Sequence, residues 1–123
     1  MRCALLLEEH NAFREALAFL LSREPDIETV AEASSIEEGR ATALRELEDI
    51  DVVVTELMLA DGSAAEFLGA LEEADGDVSV LVLTALKDRQ AHDLALKVGA
   101  AQVLTKDAPV EDIVASIKKL GDN

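Results

Sequence analysis

Asp51-Val-Val-Val-Thr-Glu56-Leu-Met-Leu-Ala-Asp-Gly62 is the stretch that decides how this chain reads. Val52 to Thr55 favour extended backbone and carry no polar break, which suits a strand buried on both faces. Glu56 follows at once, then a loop with Asp61-Gly62, and a new helical pattern opens at Ser63. An acid therefore stands where a buried strand ends. In an open parallel sheet, ligands bind beyond the carboxyl ends of the strands. Three more apolar runs end in the same manner: Leu5-Leu6-Leu7 into Glu8-Glu9, Val80 to Leu83 into Thr84, and Val103-Leu104-Thr105 into Lys106. If these strands are parallel neighbours, three acids, a hydroxyl and an ammonium meet at one sheet edge.

Working outward, Cys3 to Leu7 reads as the first strand. Asn11 opens a helix with Phe13, Ala16, Leu17, Leu20 and Leu21 at helical spacing, closed by Pro25. Ile27 to Ala31 reads as strand two. Ser34 and Ser35, followed by Glu37 and Glu38, form a capping box for a second helix to about Leu47, with Gly39 as an unusual interior residue. After strand three at Asp51 to Thr55, Ser63-x-x-Glu66 starts a third helix with Phe67, Leu68 and Leu71 inward. Asp75-Gly76-Asp77 is turn chemistry, and Val78 to Leu83 is strand four. Asp88 caps a fourth helix to about Val98, stopped by Gly99. Gln102 to Thr105 is a short fifth strand, and Pro109 leads a last helix from Val110 to Leu120, closed by Gly121. This alternation predicts an α/β fold with a parallel sheet, right-handed crossovers and helices on both faces.

The 123 residues suit one domain, and half are apolar. Three aromatics, Phe13, Phe19 and Phe67, leave no platform for base stacking. With 26 acids against 11 Lys and Arg, the formal charge of −15 repels nucleic-acid backbones, so no direct nucleic-acid contact is expected. A saline-adapted host would produce the same excess. Cys3 is the single cysteine, which excludes an internal disulfide and a Cys-based metal site. No apolar run approaches the roughly 20 residues of a membrane span, and the opening run does not suit a signal peptide. A cytoplasmic, reducing location is expected.

The convergent side chains suggest phosphoryl and metal chemistry. Carboxylates at Glu8, Glu9 and Glu56 suit a hard cation such as Mg²⁺, which takes one or two carboxylates together with waters and phosphate oxygens. Thr84 and Lys106 can each meet a phosphoryl oxygen. The plainer alternatives are solvated acids, a strand-end cap at Thr84 and a Lys106–Glu56 salt bridge. His10 and His92 lie too far apart in the pattern to form a metal pair. Neither a Gly-rich phosphate loop nor a Gly-x-Ser-x-Gly turn is present.

Four motifs in order carry a family resemblance across nearly the whole chain: Leu5-Leu-Leu-Glu8-Glu9-His10-Asn-Ala-Phe-Arg-Glu-Ala-Leu17, the Asp51 to Gly62 stretch, Val80-Leu-Val-Leu-Thr84-Ala85, and Gly99-Ala100 with Leu104-Thr-Lys106-Asp107-Ala108. The sequence resembles a response-regulator receiver domain, closest to those that precede LuxR/NarL-type helix-turn-helix domains. That resemblance implies a flavodoxin-like (βα)5 doubly wound sheet with strand order 2-1-3-4-5. It also implies two-component phosphorelay signalling, no enzyme activity of its own, and regulation of an output such as transcription. Glu56 falls at the phosphoacceptor position, where the family has Asp. The metal set implied is Glu8, Glu9, Glu56 and Met58, and the phosphoryl-binding and switch positions are Thr84, Lys106 and Val103.

The departures shape the expectation. Glu56 is one methylene longer than Asp, and a displacement of roughly 1 Å can cost about a hundredfold in rate. Glu9 stands where Asp is usual, Val103 replaces an aromatic ring, and Ala60 replaces a common Pro. We expect an atypical, phosphorylation-independent receiver occupying residues 1–123, with Mg²⁺ binding weakened or lost and no DNA-binding domain in this chain. The alternative is a working Mg²⁺-dependent phosphoacceptor served by a histidine kinase, using Glu56 or, weakly, Asp61. A metal-dependent phosphatase would need a nucleophilic Asp. Expected partners are a histidine kinase or another signalling protein, and a second copy through the surface of helix four, strand five and helix five.

Overall fold

The computed structural model describes residues 1–46, 48–73 and 78–122. The elements run β1 (Cys3–Leu7), α1 (Asn11–Ser22), β2 (Thr29–Ala33), α2 (Ile36–Glu46), β3 (Ile50–Thr55), β4 (Met58–Leu59), β5 (Gly62–Ser63), α3 (Ala65–Glu73), β6 (Ser79–Thr84), α4 (Arg89–Lys97), β7 (Gln102–Thr105) and α5 (Val110–Gly121). Five strands form a parallel sheet in the order β2-β1-β3-β6-β7. This is the expected 2-1-3-4-5 order once the small β4–β5 hairpin is set aside.

Alternation along the central strands builds two cores. Leu5, Leu7, Val53, Val80 and Val82 face Ile36 and Ala43 of α2, Phe67, Leu68 and Leu71 of α3, and Ala95 of α4. Ala4, Leu6, Val52, Val54, Leu81 and Leu83 face Leu17, Ala18 and Leu21 of α1 and Ile113 and Ile117 of α5. Successive side chains of a strand point to opposite faces, so a strand apolar at every position has a helix layer on each side. All five residues of β1 are buried.

The edge strand β2 is shifted from the expected Ile27 to Ala31. Its pairing with β1 begins at Cys3↔Thr29 and ends at Leu7↔Ala33, while Ile27 is buried in a turn whose N–H donates to the Glu24 carbonyl. Helix α1 stops at Ser22, before Pro25, and α5 runs one residue further than expected, through Gly121. Asp75-Gly76-Asp77 and the expected end of the second helix at Leu47 lie outside the described residues. Gly39 has a packing reason: a Cβ there would stand 3.2 Å from two methyl carbons of Leu7. The missing side chain lets α2 lie close on β1.

The hairpin was not expected, because Met58–Leu59 and Gly62–Ser63 are two residues each. It places Asp61 at the start of α2, where its Oδ1 accepts from the Ile36 N–H at 3.1 Å and its Oδ2 from the Glu37 N–H at 3.2 Å. Ser35 Oγ accepts from the Glu38 N–H at 3.1 Å, the first half of the expected capping box, while the Glu38 carboxylate reaches back to the N–H of Ser34, one residue before the cap. Asp61 is thus a cap supplied from 25 residues away. Replacing a capping Asp by Ala removes about 1 kcal/mol. Asp61→Ala should lower the urea midpoint, with the increased amide exchange confined to the first turn of α2 and to the hairpin.

Glu8 is the one buried acid among the described residues, so nearly all the excess negative charge sits on the surface. Such charge repels itself, and salt relieves it as the Debye length falls from roughly 10 Å at about 0.1 M to roughly 3 Å at about 1 M. The urea midpoint should therefore rise across that range of KCl. A flat midpoint would show that surface repulsion is negligible here.

Candidate functional site

Three strand ends bring the site together. β3 stops at Thr55, and the Glu56 N–H donates to the Leu7 carbonyl at 3.3 Å, carrying the pairing one step beyond the strand. β7 stops at Thr105, and the Lys106 N–H donates to the Thr84 carbonyl at 2.9 Å. The Glu8 N–H donates to the Ala33 carbonyl at 3.0 Å. Backbone pairing thus places Glu8, Glu56, Thr84 and Lys106 on one edge.

Lys106 is the centre of the cluster. Its Nζ makes a close ion pair with Glu8 Oε1 and lies 3.3 Å from Glu56 Oε1. The three side chains keep only 15%, 8% and 11% of their surface for Lys106, Glu8 and Glu56 respectively. The Phe13 ring closes another side, 5.3 Å from the ammonium, within cation–π range. Glu56 Oε2 accepts from the Leu57 N–H at 2.8 Å. Glu8 Oε2 accepts from the His10 N–H at 3.1 Å and faces His10 Nδ1 at the same distance. Arg14 Nη1 donates to the Glu8 carbonyl at 2.7 Å and its Nε to Glu32 Oε1 at 3.1 Å, fixing the turn from β1 into α1.

The electrostatics follow from this geometry. Burial disfavours charge on Glu8, but hydrogen bonds from Lys106 and the His10 backbone outweigh it and hold the carboxyl below its ordinary range. Burial likewise disfavours charge on Lys106, and the hydrogen bond and charge of Glu8, with the charge of Glu56, push its ammonium above the ordinary value. At neutral pH the cluster holds both ions of the Glu8–Lys106 pair.

The expected residues divide. Glu8, Glu56 and Lys106 meet, and Thr84 is buried beside them with its Oγ1 accepting from the Leu86 N–H at 3.1 Å. Glu9 is half-buried and makes no ion pair among the described residues, and the Met58 side chain is exposed in the hairpin. Val103 is partly buried against the α2–α3–α4 core. Both oxygens of Glu8 and both of Glu56 already accept from protein donors or face Lys106. Among the described residues no three His, Cys, Asp or Glu side chains are grouped to hold a metal ion. Asp61 faces α2, away from the cluster. His10, Phe13 and Arg14 were missed as members, although a first helical turn directly after Glu8-Glu9 has to face the same edge.

Residues 4–118 match the response regulator receiver domain family. This chain belongs to that family. It is 30% identical to the DNA-binding transcriptional activator DevR/DosR of Mycobacterium tuberculosis over 94% of this chain and 52% of that protein. It is 31% identical to the nitrate/nitrite response regulator NarL of Escherichia coli over 92% of this chain and 51% of that protein. The chain spans about half the length of these relatives. The signal receiver domain of a NarL response regulator from M. tuberculosis superimposes with a TM-score of 0.87 at 23% identity, covering 99% of this chain and 96% of that one. The curated relatives named here are transcription regulators whose receiver portions this chain matches. No helix among the described residues is long and apolar enough to cross a membrane.

Removing Lys106 would leave two carboxylates facing each other without their shared cation. Breaking a buried pair costs about 3 to 5 kcal/mol, and Lys106→Met should fall near the lower end because the site keeps slight exposure. The sign of the pH dependence follows from the two shifts. A depressed carboxyl stabilises above its ordinary 4.5 and loses that contribution as pH falls through the folded value. A raised ammonium stabilises below its ordinary 10.5 and loses it as pH rises through the folded value. The stability gap between wild type and Lys106→Met should be flat between about 4.5 and 10.5 and shrink on both sides, as read by urea unfolding across pH.

Proposed function

We propose that this receiver domain signals without phosphorylation, as a protein-interaction module that regulates an output, with Glu56 in the phosphoacceptor position. The observation that carries this reading is the Lys106 ammonium held between Glu8 and Glu56. A phosphoryl group arriving at an aspartate would bring negative charge to this lysine. Here a carboxylate longer by one methylene carries only the ordinary single charge but reaches the lysine itself, at 3.3 Å. The longer arm also turns its second oxygen back to the Leu57 N–H. A nucleophile held in this way is poorly placed for in-line attack on phosphorus, since small displacements of reacting atoms are costly.

Mg²⁺ binding is weakened or lost on this reading. A hard cation would have to pull Glu8 from Lys106 and His10, and Glu56 from Leu57, before gaining its oxygens. Glu9 and Met58 remain the other positions on the metal side. Thr84 and Lys106 keep their places as phosphoryl-binding and switch positions, while Val103 has no ring to turn inward. Residues 1–123 form one receiver unit in this proposal. Its partners are a histidine kinase or another signalling protein, and a second copy through α4, β7 and α5. The names of the relatives support transcription as the output, and the charge of −15 argues against nucleic-acid contact by this domain.

The test is titration of the domain with Mg²⁺ and beryllofluoride, followed by amide NMR at Glu56, Thr84 and Lys106 and along α4. Wild type should show no saturable response, and Glu56→Asp should gain one. A saturable beryllofluoride-dependent shift in wild type would show that the pocket still takes a phosphoryl mimic, and the alternative, a working phosphoacceptor, would replace this reading.

A further inference from the structure

The turn after β7 carries two opposite charges side by side. Lys106 goes inward to Glu8 and Glu56, while Asp107 goes outward, where its Oδ2 pairs with Lys87 Nζ at 2.7 Å and its Oδ1 accepts from the Thr105 hydroxyl. Lys87 belongs to the segment between β6 and α4. That segment is tied at other points too: the Leu86 N–H donates to Thr84 Oγ1, its carbonyl accepts from His92 Nε2 of α4 at 2.7 Å, and Asp88 Oδ1 caps α4 at the Gln90 N–H. The Lys87–Asp107 pair is the one ion pair between the β6–α4 and β7–α5 connections among the described residues.

We propose that the Lys106-Asp107 dipeptide is the link through which the carboxylate cluster sets the position of α4, with Lys87 and His92 as its receiving contacts. This deepens the phosphorylation-independent reading and rests on it for the identity of the resting state. Adjacent Cα atoms are held about 3.8 Å apart, so a shift of the Lys106 backbone is passed to Asp107 and through the ion pair to Lys87. The usual route through a hydroxyl and an inward ring is closed here. Val103 carries no ring to turn inward.

Exposed ion pairs add little to overall stability, yet this one acts on a lightly held helix. Ala95 is the only buried residue of α4. An element with so few buried contacts opens at small free energy and responds to a small bias. What moves with it is an apolar surface, since Leu86 and Leu94 are both nearly half exposed.

A coupling claim needs a mutant cycle rather than proximity. The cluster is perturbed by Glu56→Gln, which keeps size and removes charge, and the readout is amide shift and hydrogen exchange over Arg89 to Lys97. The same perturbation is then made in Asp107→Asn, in Lys87→Gln and in the double variant. In the wild-type background α4 should respond. In each single variant the response should fall on the order of threefold, the scale of an exposed pair, with no further fall in the double. An undiminished response without Asp107 or Lys87, a further fall in the double, or no α4 response in the wild-type background overturns the proposal. None of these measurements uses metal or phosphoryl mimic. A beryllofluoride response in the wild type would therefore remove the phosphorylation-independent reading while the cycle decides the link.

Discussion

One ammonium between two carboxylates organises the carboxyl edge of this sheet. Lys106 joins the ends of β1, β3 and β7 through its ammonium, and its backbone N–H donates to the Thr84 carbonyl at the end of β6. The buried Glu8 and the largely covered Glu56 would repel each other without it. The same contact leaves the cluster with one negative charge in excess, stabilised by the N–H groups of Leu57 and His10. Among the described residues no buried side-chain polar atom lacks a hydrogen-bond partner. A satisfied, nearly dry cluster of this kind favours one geometry over many.

The fold supplies the precision that the cluster needs. β1 and β3 are covered on both faces, so their ends are held by two cores rather than by loops. The small devices around the edge do related work. Gly39 lets α2 approach Leu7, one residue from Glu8. Arg14 locks the Glu8 carbonyl, and Asp61 ties the hairpin after Glu56 to the start of α2. By contrast, α4 has little buried surface, which makes it the compliant part of an otherwise firm frame.

Much of this was legible in the sequence for a physical reason. Strands buried on both faces become continuous apolar runs, and their polar successors mark the functional edge, as at Leu7-Glu8, Thr55-Glu56 and Thr105-Lys106. The edge strand β2 was placed two residues early, because Ile27 is apolar through burial in a turn and Glu32 interrupts the strand's own pattern. The β4–β5 hairpin has no period to read at two residues per strand. Within the site, charge pairing was foreseeable but its direction was not. Glu8, not Glu56, makes the closer contact with Lys106, and that choice depends on side-chain reach across the sheet.

The glutamate at position 56 is best understood through that reach. An aspartate at the end of β3 would hold its carboxylate nearer the backbone, leaving Lys106 to Glu8 and room for an incoming group. The glutamate extends into that room and meets the same lysine at 3.3 Å. An aspartate there would carry the same single charge, so the added methylene changes where the carboxylate stands and not how much charge the edge holds. On the proposed reading, signalling rests on what the carboxylate in that position does to the elements joined to Lys106.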